Sequence, residues 1–465
     1  MSQPAFRQRP WGLGFPLFRR LLDWYWPPLL LPQLLVFLLL LLLLLLLSGG
    51  RAQAQVPIRP APDSTLHSAA ELMELGQRGI DSLVVLQPAS RPTLATTPYL
   101  DSLLAAQAAQ GRWAAVDSAG RAALRLGIDY PTLRRYLGQA ALARARPAEA
   151  LRQYDRARHA NSFDSLANYG LALAYLQLNQ PAPAALLARS LPDSLRRRLH
   201  LRSFQPLTAV EVEAGGQFSD TRHRGPSAFL RLGVSSRLSP RFSLTQNFTY
   251  FGQDIELPDP YRPGSSRRYP IRQNQYHVLL GAQLAPRWRA QLGYHFLESD
   301  LGRPESHLGQ LAYAALTYHR PYYAVQAGFF AGTLTDTART QADLRLTVYP
   351  LGSLRLYGFG RASVVHSAGR RYPNGVLGAG GQLRPRLWLE AFGGLGQVPV
   401  LAEVDGTYVY NLLDPVHERA GASLLLLLPH QLSARLAVGT ERRRDAIDGA
   451  YYALYSLSTT LVWTW

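Results

Sequence analysis

From Phe204 to the last residue, Trp465, apolar and polar residues alternate with a period of two. That period puts successive side chains on opposite faces of an extended strand, so the strands must separate two different surroundings. Trp288, Ala290, Leu292, Tyr294 and Phe296 alternate with Arg289, Gln291, Gly293 and His295. Leu344, Leu346 and Val348 alternate with Asp343, Arg345 and Thr347, and Leu432, Ala434, Leu436 and Val438 with Ser433, Arg435 and Ala437. A soluble sandwich shows the same alternation, so period alone does not decide the architecture.

Spacing separates the two. The region divides into about fourteen strands of about ten to fourteen residues, long enough to cross a bilayer when tilted. Tight turns at 239–241, 285–287, 320–321, 350–353, 384–386 and 429–431 alternate with longer loops at 219–226, 253–273, 299–305, 334–339, 366–373, 398–416 and 443–450. Short turns on one side and longer loops on the other predict an antiparallel up-and-down transmembrane β-barrel over 204–465, its turns periplasmic and its loops extracellular. Phe242, Trp288, Tyr322, Tyr349 and Trp388 beside the tight turns suit an interfacial aromatic girdle. The last strand ends in Trp463 and Trp465; left on an open edge they would be exposed, so closure against the strand near Val210 is expected. Three segments resist assignment. Gln246 falls on the lipid face, and 306–319 phases either way. The stretch from Val398 to Leu413 carries an Asp405-Gly406 hairpin signal, read as tall strands or an extracellular hairpin, with sixteen strands as the alternative count.

The N-terminal half differs. Arg7, Arg9, Arg19 and Arg20 precede an apolar run that reaches Leu47, and Ala52 and Ala54 stand at −3 and −1 of a secretory cleavage site. Residues 1–54 are therefore expected to be a signal peptide, with a retained membrane anchor as the alternative. Residues 55–68 read as a Pro-rich linker. Over 69–200 an Ala-, Leu- and Arg-rich composition repeats every 34 residues, as in the columns Leu103, Leu137, Leu171 and Val116, Ala150, Ala184.

Composition excludes more than it assigns. There is no cysteine, so no disulfide, thiol chemistry or Cys-bound metal. The net charge of +18 comes from arginines, because lysine is absent. They are scattered rather than gathered on a recognition element, which argues against a nucleic-acid partner. The lumen-facing phase holds Glu211, Glu213, Arg231, Arg289, His295, Asp343, Arg345, Arg355, Arg361, Glu390 and Arg435, which predicts a wet, ion-paired interior. This is either a lining selective for an anionic solute or a set of bridges bracing the wall. Rim residues His223, His307, His366 and His417, with Asp220, Asp300 and Asp405, form no catalytic spacing, and GAGG (378–381) and GGLG (393–396) are strand glycines. No enzyme activity and no cofactor or metal is expected. Arg-rich loops at 221–224, 265–268, 369–371 and 441–444 would lie over anionic lipopolysaccharide or another anionic glycan.

Leu137-Gly138, Ala150, Tyr154 and Ala157 resemble the tetratricopeptide pattern, in which small residues let two helices approach and a tyrosine fills the gap between them. The expected fold is thus α plus transmembrane β: a short tetratricopeptide-like solenoid before a barrel. The whole arrangement resembles YaiO-type outer-membrane β-barrel proteins. The resemblance implies a non-enzymatic channel or polysaccharide-export protein, or a closed barrel anchoring an interaction scaffold, with a lipid-active enzyme as a third reading. The terminal Trp463 and Trp465 resemble the signal by which barrel-assembly machinery recognises its clients. Its implied partners are outer-membrane lipid, that machinery and a periplasmic protein bound through 69–200.

Overall fold

Two kinds of local structure meet near Phe204, and each follows from its sequence period. The computed structural model describes residues 96–465 apart from 200, 259–261, 263–264, 301–306, 335–336, 399–400, 404 and 411–413. The expected signal peptide with Ala52 and Ala54, the linker 55–68 and residues 69–95 of the helical region lie outside the described residues. Among the described residues no helix is long and apolar enough to cross a membrane.

The helices are α1 (Thr96–Ala109), α2 (Trp113–Arg125), α3 (Pro131–Ala143), α4 (Pro147–Ala160), α5 (Ser165–Gln177), α6 (Pro181–Ala188) and α7 (Asp193–Arg198). Helices α2, α4 and α6 start 34 residues apart, as do α3 and α5. Proline opens α3, α4 and α6, where its missing N–H costs nothing. The Asp164 carboxylate caps α5, accepting from the N–H groups of Leu166 and Ala167. The turns obey the same period: Gly111, Ala145 and Asn179 all have positive φ, and each ends one helix and starts the next. Tyr154 is the central packing element. A Cβ on Gly138 would lie 2.7 Å from its ring and one on Gly170 2.2 Å, so both neighbouring helices close on it.

The strands are β1 (Gln205–Ser219), β2 (Arg224–Arg237), β3 (Phe242–Pro258), β4 (Ser266–Ala285), β5 (Trp288–Asp300), β6 (His307–His319), β7 (Tyr323–Leu334), β8 (Thr337–Val348), β9 (Leu356–Ser367), β10 (Arg370–Arg384), β11 (Leu387–Val398), β12 (Leu401–Glu403), β13 (Tyr408–Tyr410), β14 (Val416–Leu427), β15 (Leu432–Arg444) and β16 (Tyr451–Thr464). All but β12 and β13 form one closed barrel of fourteen antiparallel strands, in which β1 pairs with β16 and β11 with β14. Val210 stands opposite Trp463 at the seam, so the last strand has no open edge. The outward face is apolar, with Leu232, Leu292, Leu346 and Leu377 exposed on it. The inward face carries buried Asn247, Gln275, His277, Gln291, His295 and Gln341. This polarity is inside out relative to a soluble protein and suits a lipid exterior. Gln246 does lie outward, where it accepts from the Tyr276 hydroxyl at 2.7 Å. Strand β6 takes the phase that buries Leu311, Tyr313 and Ala315 and exposes Leu308 and Leu316.

Two expectations need correction. Loop lengths do not alternate strictly: β9 runs to Ser367 and β10 starts at Arg370, with Ala368 and Gly369 at positive φ in a two-residue turn. Similarly β7 ends at Leu334 and β8 begins at Thr337, whereas the turn between β8 and β9 spans 349–355. The girdle is also only partly as expected. Phe242 and Trp288 are exposed on the outer face. Tyr349 lines an interior cavity, and Trp388 donates its indole N–H to the Leu354 carbonyl at 3.2 Å. Tyr322 lies under the Arg152 guanidinium of α4.

Helix α4 rests on the short-turn end of the barrel. The Ala148 N–H donates to the Gly352 carbonyl at 3.1 Å, and Arg287 pairs with Asp155 at 2.7 Å. With the Arg152–Tyr322 contact, this ties one helix to three neighbouring turns, those after β4, β6 and β8.

Candidate functional site: a hairpin inside the barrel

The segment between β11 and β14 neither extends the wall nor stands outside it. At Gly396 the chain has φ +143, and a Cβ there would lie 2.5 Å from the Pro373 carbonyl, so only glycine fits. The β11–β14 register shifts between Leu395 and Val398, and the irregularity re-aims the chain. Beyond it β12 and β13 pair as Leu401–Tyr410, Ala402–Val409 and Glu403–Tyr408. Asp405 and Gly406 both have positive φ, the conformation for which an Asp-Gly turn is suited.

This hairpin is held from around the ring. Gln341 of β8 clamps Ala402 through both backbone groups: its amide accepts from the Ala402 N–H at 3.0 Å and donates to the Ala402 carbonyl at 2.8 Å. Glu403 pairs with Arg361 of β9 and, at 2.6 Å, with Arg419 of β14. The Asp405 carboxylate accepts from Gln291 of β5 (2.9 Å), Tyr313 of β6 (2.7 Å) and Gln326 of β7 (2.8 Å). His277 of β4 and His295 of β5 reach the carbonyls of Asp405 and Gly406 at 3.1 and 2.8 Å. The Tyr408 hydroxyl donates to Glu213 of β1 at 2.7 Å, and Arg231 of β2 lies over its ring at 4.4 Å. Val409 and Ala402 pack on Leu297, Leu311, Tyr313 and Phe330. A three-residue ladder touched from so many strands of a closed wall can only be in the lumen. Gln291 and Gln326 lie near the short-turn ends of their strands, so the tip has passed the barrel's middle.

Eight of the eleven residues expected in the lumen fall into three groups. Glu211, Glu213 and Arg231 form one ion-paired cluster beside Tyr408. His295, Asp343 and Arg361 surround the hairpin, with Asp343 accepting from Gln341 at 2.9 Å. Arg289 and Arg345 line a cavity of about 290 Å³ below the tip. Glu390 accepts from the Tyr357 hydroxyl at 2.6 Å, and Arg435 lies within electrostatic reach of the same tyrosine, whereas Arg355 is exposed and belongs to none of these clusters. Asp405, expected at the rim, is deep inside. Gln291, read on the lumen phase, holds the hairpin; so do Gln326, Gln341 and Arg419, which were not singled out by the sequence, their inward parity being the available signal.

A second cluster pins the hairpin's exit at the loop end. Asp414 accepts from Arg224 at 2.6 and 2.8 Å, from the Tyr452 hydroxyl at 2.7 Å and from the Ala446 N–H at 2.9 Å. Asp445 bridges Arg224 (3.2 Å) and His223 (2.8 Å). Arg224 and Arg443 are thus buried in ion pairs, while Arg267, Arg268, Arg370 and Arg371 of the expected cationic loops are exposed. Burial alone would push the Asp414 carboxyl up; the hydrogen bonds from Arg224, Tyr452 and Ala446 outweigh it and hold the group below its ordinary value.

No family model and no curated protein matches the chain. Among solved structures, the toluene transporter TodX of Pseudomonas putida aligns at 7% identity over 55% of this chain and 88% of its own, with a TM-score of 0.40. A Pseudomonas aeruginosa FadL homologue aligns at 9% identity over 56% and 90%, with a TM-score of 0.40. A bacterial polysaccharide outer membrane secretin aligns at 15% identity over 56% and 99%, with a TM-score of 0.33. The fourteen-stranded closed wall with an apolar exterior and a polar lumen is an outer-membrane β-barrel fold.

Proposed function

We propose that the chain is a non-enzymatic outer-membrane channel whose lumen is closed by its own hairpin and whose helices, on the periplasmic side, recruit a partner protein. The hairpin at 401–410, held by contacts from around the wall, carries this reading. A barrel that served only as an anchor would fill its lumen with wall side chains; here the filling is a separate segment, joined at a bulge and gripped by side chains alone. The wall it touches is rich in arginine, so the passing solute is anionic, in keeping with the resemblance to envelope-glycan export. The alternative of a closed barrel anchoring a periplasmic scaffold rests on α4, which ties the helical region to three short turns. The 34-residue period of helices and left-handed turns favours the tetratricopeptide reading of that region.

Single-channel recording on the refolded protein tests the channel. Wild type should be closed or flicker briefly, and a variant with 399–413 replaced by a short Gly-Ser link should conduct steadily. A silent deletion variant would leave the scaffold reading. Location is tested separately: the mature chain should begin at Gln55 and fractionate with the outer membrane, and an intact Met1 would overturn that.

A further inference from the structure

The chamber below the hairpin tip has a charge balance that the wall does not need for its own stability. Strand register places Arg289 of β5 opposite Thr317, Thr317 opposite Gln326, Gln326 opposite Arg345, and Arg345 opposite Arg361. Three arginines therefore share one hydrogen-bonded row of the wall, and Arg345 and Arg361, directly opposite on neighbouring strands, repel. Arg361 is neutralised by Glu403 of the hairpin. Among the described residues neither Arg289 nor Arg345 makes an ion pair, and both line the cavity of about 290 Å³. The one carboxylate on that cavity's lining, Asp405, is already occupied by Gln291, Tyr313 and Gln326. Arg345 lies over the Phe359 ring at 5.4 Å, a contact that fixes its direction. Thr317 and Thr347 add hydroxyls to the same lining.

We propose that this chamber is a binding site for a small oxyanion-bearing solute, a phosphate or polycarboxylate, held between Arg289 and Arg345. Two cations on the lining of one cavity, from strands β5 and β8 three places apart on the ring, with threonine hydroxyls beside them, offer charge-assisted hydrogen bonds to one occupant. The volume holds on the order of ten waters, at about 30 Å³ each, so the occupant is a single small solute or one charged terminus of a longer one. The site rests on the reading of the hairpin as a lumen filling but not on the channel's opening, since it exists in the closed state.

The test is calorimetric titration of the full-length protein in detergent, at constant ionic strength, with inorganic phosphate and with citrate. Wild type should bind one of them saturably at one site per chain. Arg289→Gln and Arg345→Gln should each weaken that binding roughly tenfold to a hundredfold. Arg370→Gln, which removes an exposed arginine at the loop end of β10, should leave it unchanged. Heat-modifiable migration confirms that each variant is folded. No saturable binding of either anion, or equal weakening by Arg370→Gln, would overturn the proposal. Conductance of the hairpin-deleted barrel is measured apart from this, so an empty chamber in a barrel that still opens would sink the site and spare the channel.

Discussion

The wall of the barrel and the hairpin inside it are both antiparallel β-structure, yet they are held by different forces. Each wall strand of about a dozen residues is laddered to two neighbours along most of its length. Its outward side chains lie where lipid, not water, is the solvent. The hairpin has a ladder of three residue pairs, which would not stand alone in water. It is kept by side-chain hydrogen bonds, two ion pairs and one apolar cluster. Such contacts can be replaced one at a time by water or solute, whereas opening a wall ladder in lipid leaves every backbone group unsatisfied. The wall is held by its own ladder, the hairpin by the side chains of the wall.

The largest expected effect, loss of the inserted barrel as a whole, attacks the wall. Leu292 and Leu346 point outward and are exposed there. An arginine on this face costs roughly 2–4 kcal/mol at the bilayer midplane and less toward the strand ends, so Leu292→Arg and Leu346→Arg, in the short-turn half of the wall, should still impair insertion. Gln291, one residue away, faces the lumen, and Gln291→Arg should insert normally. The folded fraction by gel migration after refolding into bilayers measures this. Equal folding of Leu292→Arg and Gln291→Arg would mean that the outer face never meets lipid.

Next comes the hairpin. Glu403→Ala leaves Arg361 and Arg419 facing each other without their shared carboxylate; breaking a buried pair costs about 3–5 kcal/mol. Gln341→Ala removes two hydrogen bonds to a buried backbone, each about 1 kcal/mol net. Both should loosen the hairpin without lowering the amount of folded barrel. The check is protease or thiol access to a cysteine at Thr407. Protection equal to wild type in both variants would contradict a hairpin held by side chains. In the helices, Gly170→Ala should cost about 1–3 kcal/mol by forcing a methyl into the Tyr154 ring. It should do so without altering the barrel's migration, and a helical melt of the full chain reads it.

The difference between wall and hairpin also explains what was legible in the sequence. A period of two is a local property of each strand, so faces, strand number and the Val210–Trp463 closure could be read from residues alone. Parity went further than its use: Trp388 shares the inward phase of Glu390, and Tyr349 that of Asp343 and Arg345, so their place inside was already written against a lipid girdle. The loop lengths misled because β9 and β10 continue past the expected loop, which no local signal forbids. The hairpin's depth is not local at all. Leu401–Glu403 and Tyr408–Tyr410 are too short for a periodic pattern, and an Asp-Gly turn carries no information about which side of a wall it lies on. Charge was the available sign: Glu403 and Asp405 are acids on a loop beside a lumen phase rich in arginine. Pairing partners such as Gln341 and Arg419 depend on strands distant in sequence, and only the closed ring brings them together.

The smallest effect concerns the hairpin's exit, where Asp414 is clamped at the loop end. Its carboxyl is held below the ordinary value, so the charged form is favoured in the folded protein. A depressed acid contributes stability that is complete above its unfolded value, about 3.9 for aspartate. That contribution declines as pH falls below this value and is gone once pH passes below the folded one. The anchor should therefore be constant from neutral pH down to roughly pH 5, then weaken in stronger acid. Hydrogen exchange at the Ala446 N–H, which donates to Asp414, reports the anchor directly. Its protection, corrected for the intrinsic pH dependence of exchange, should fall below about pH 4 in wild type. Asp414→Asn removes the titration, so its protection should be lower at neutral pH and flat into acid. Wall amides far from the rim, such as those of β6, should keep their protection over the same range. A fall of protection in β6 at the same pH would mean that the barrel itself, and not the hairpin's anchor, is the acid-sensitive part.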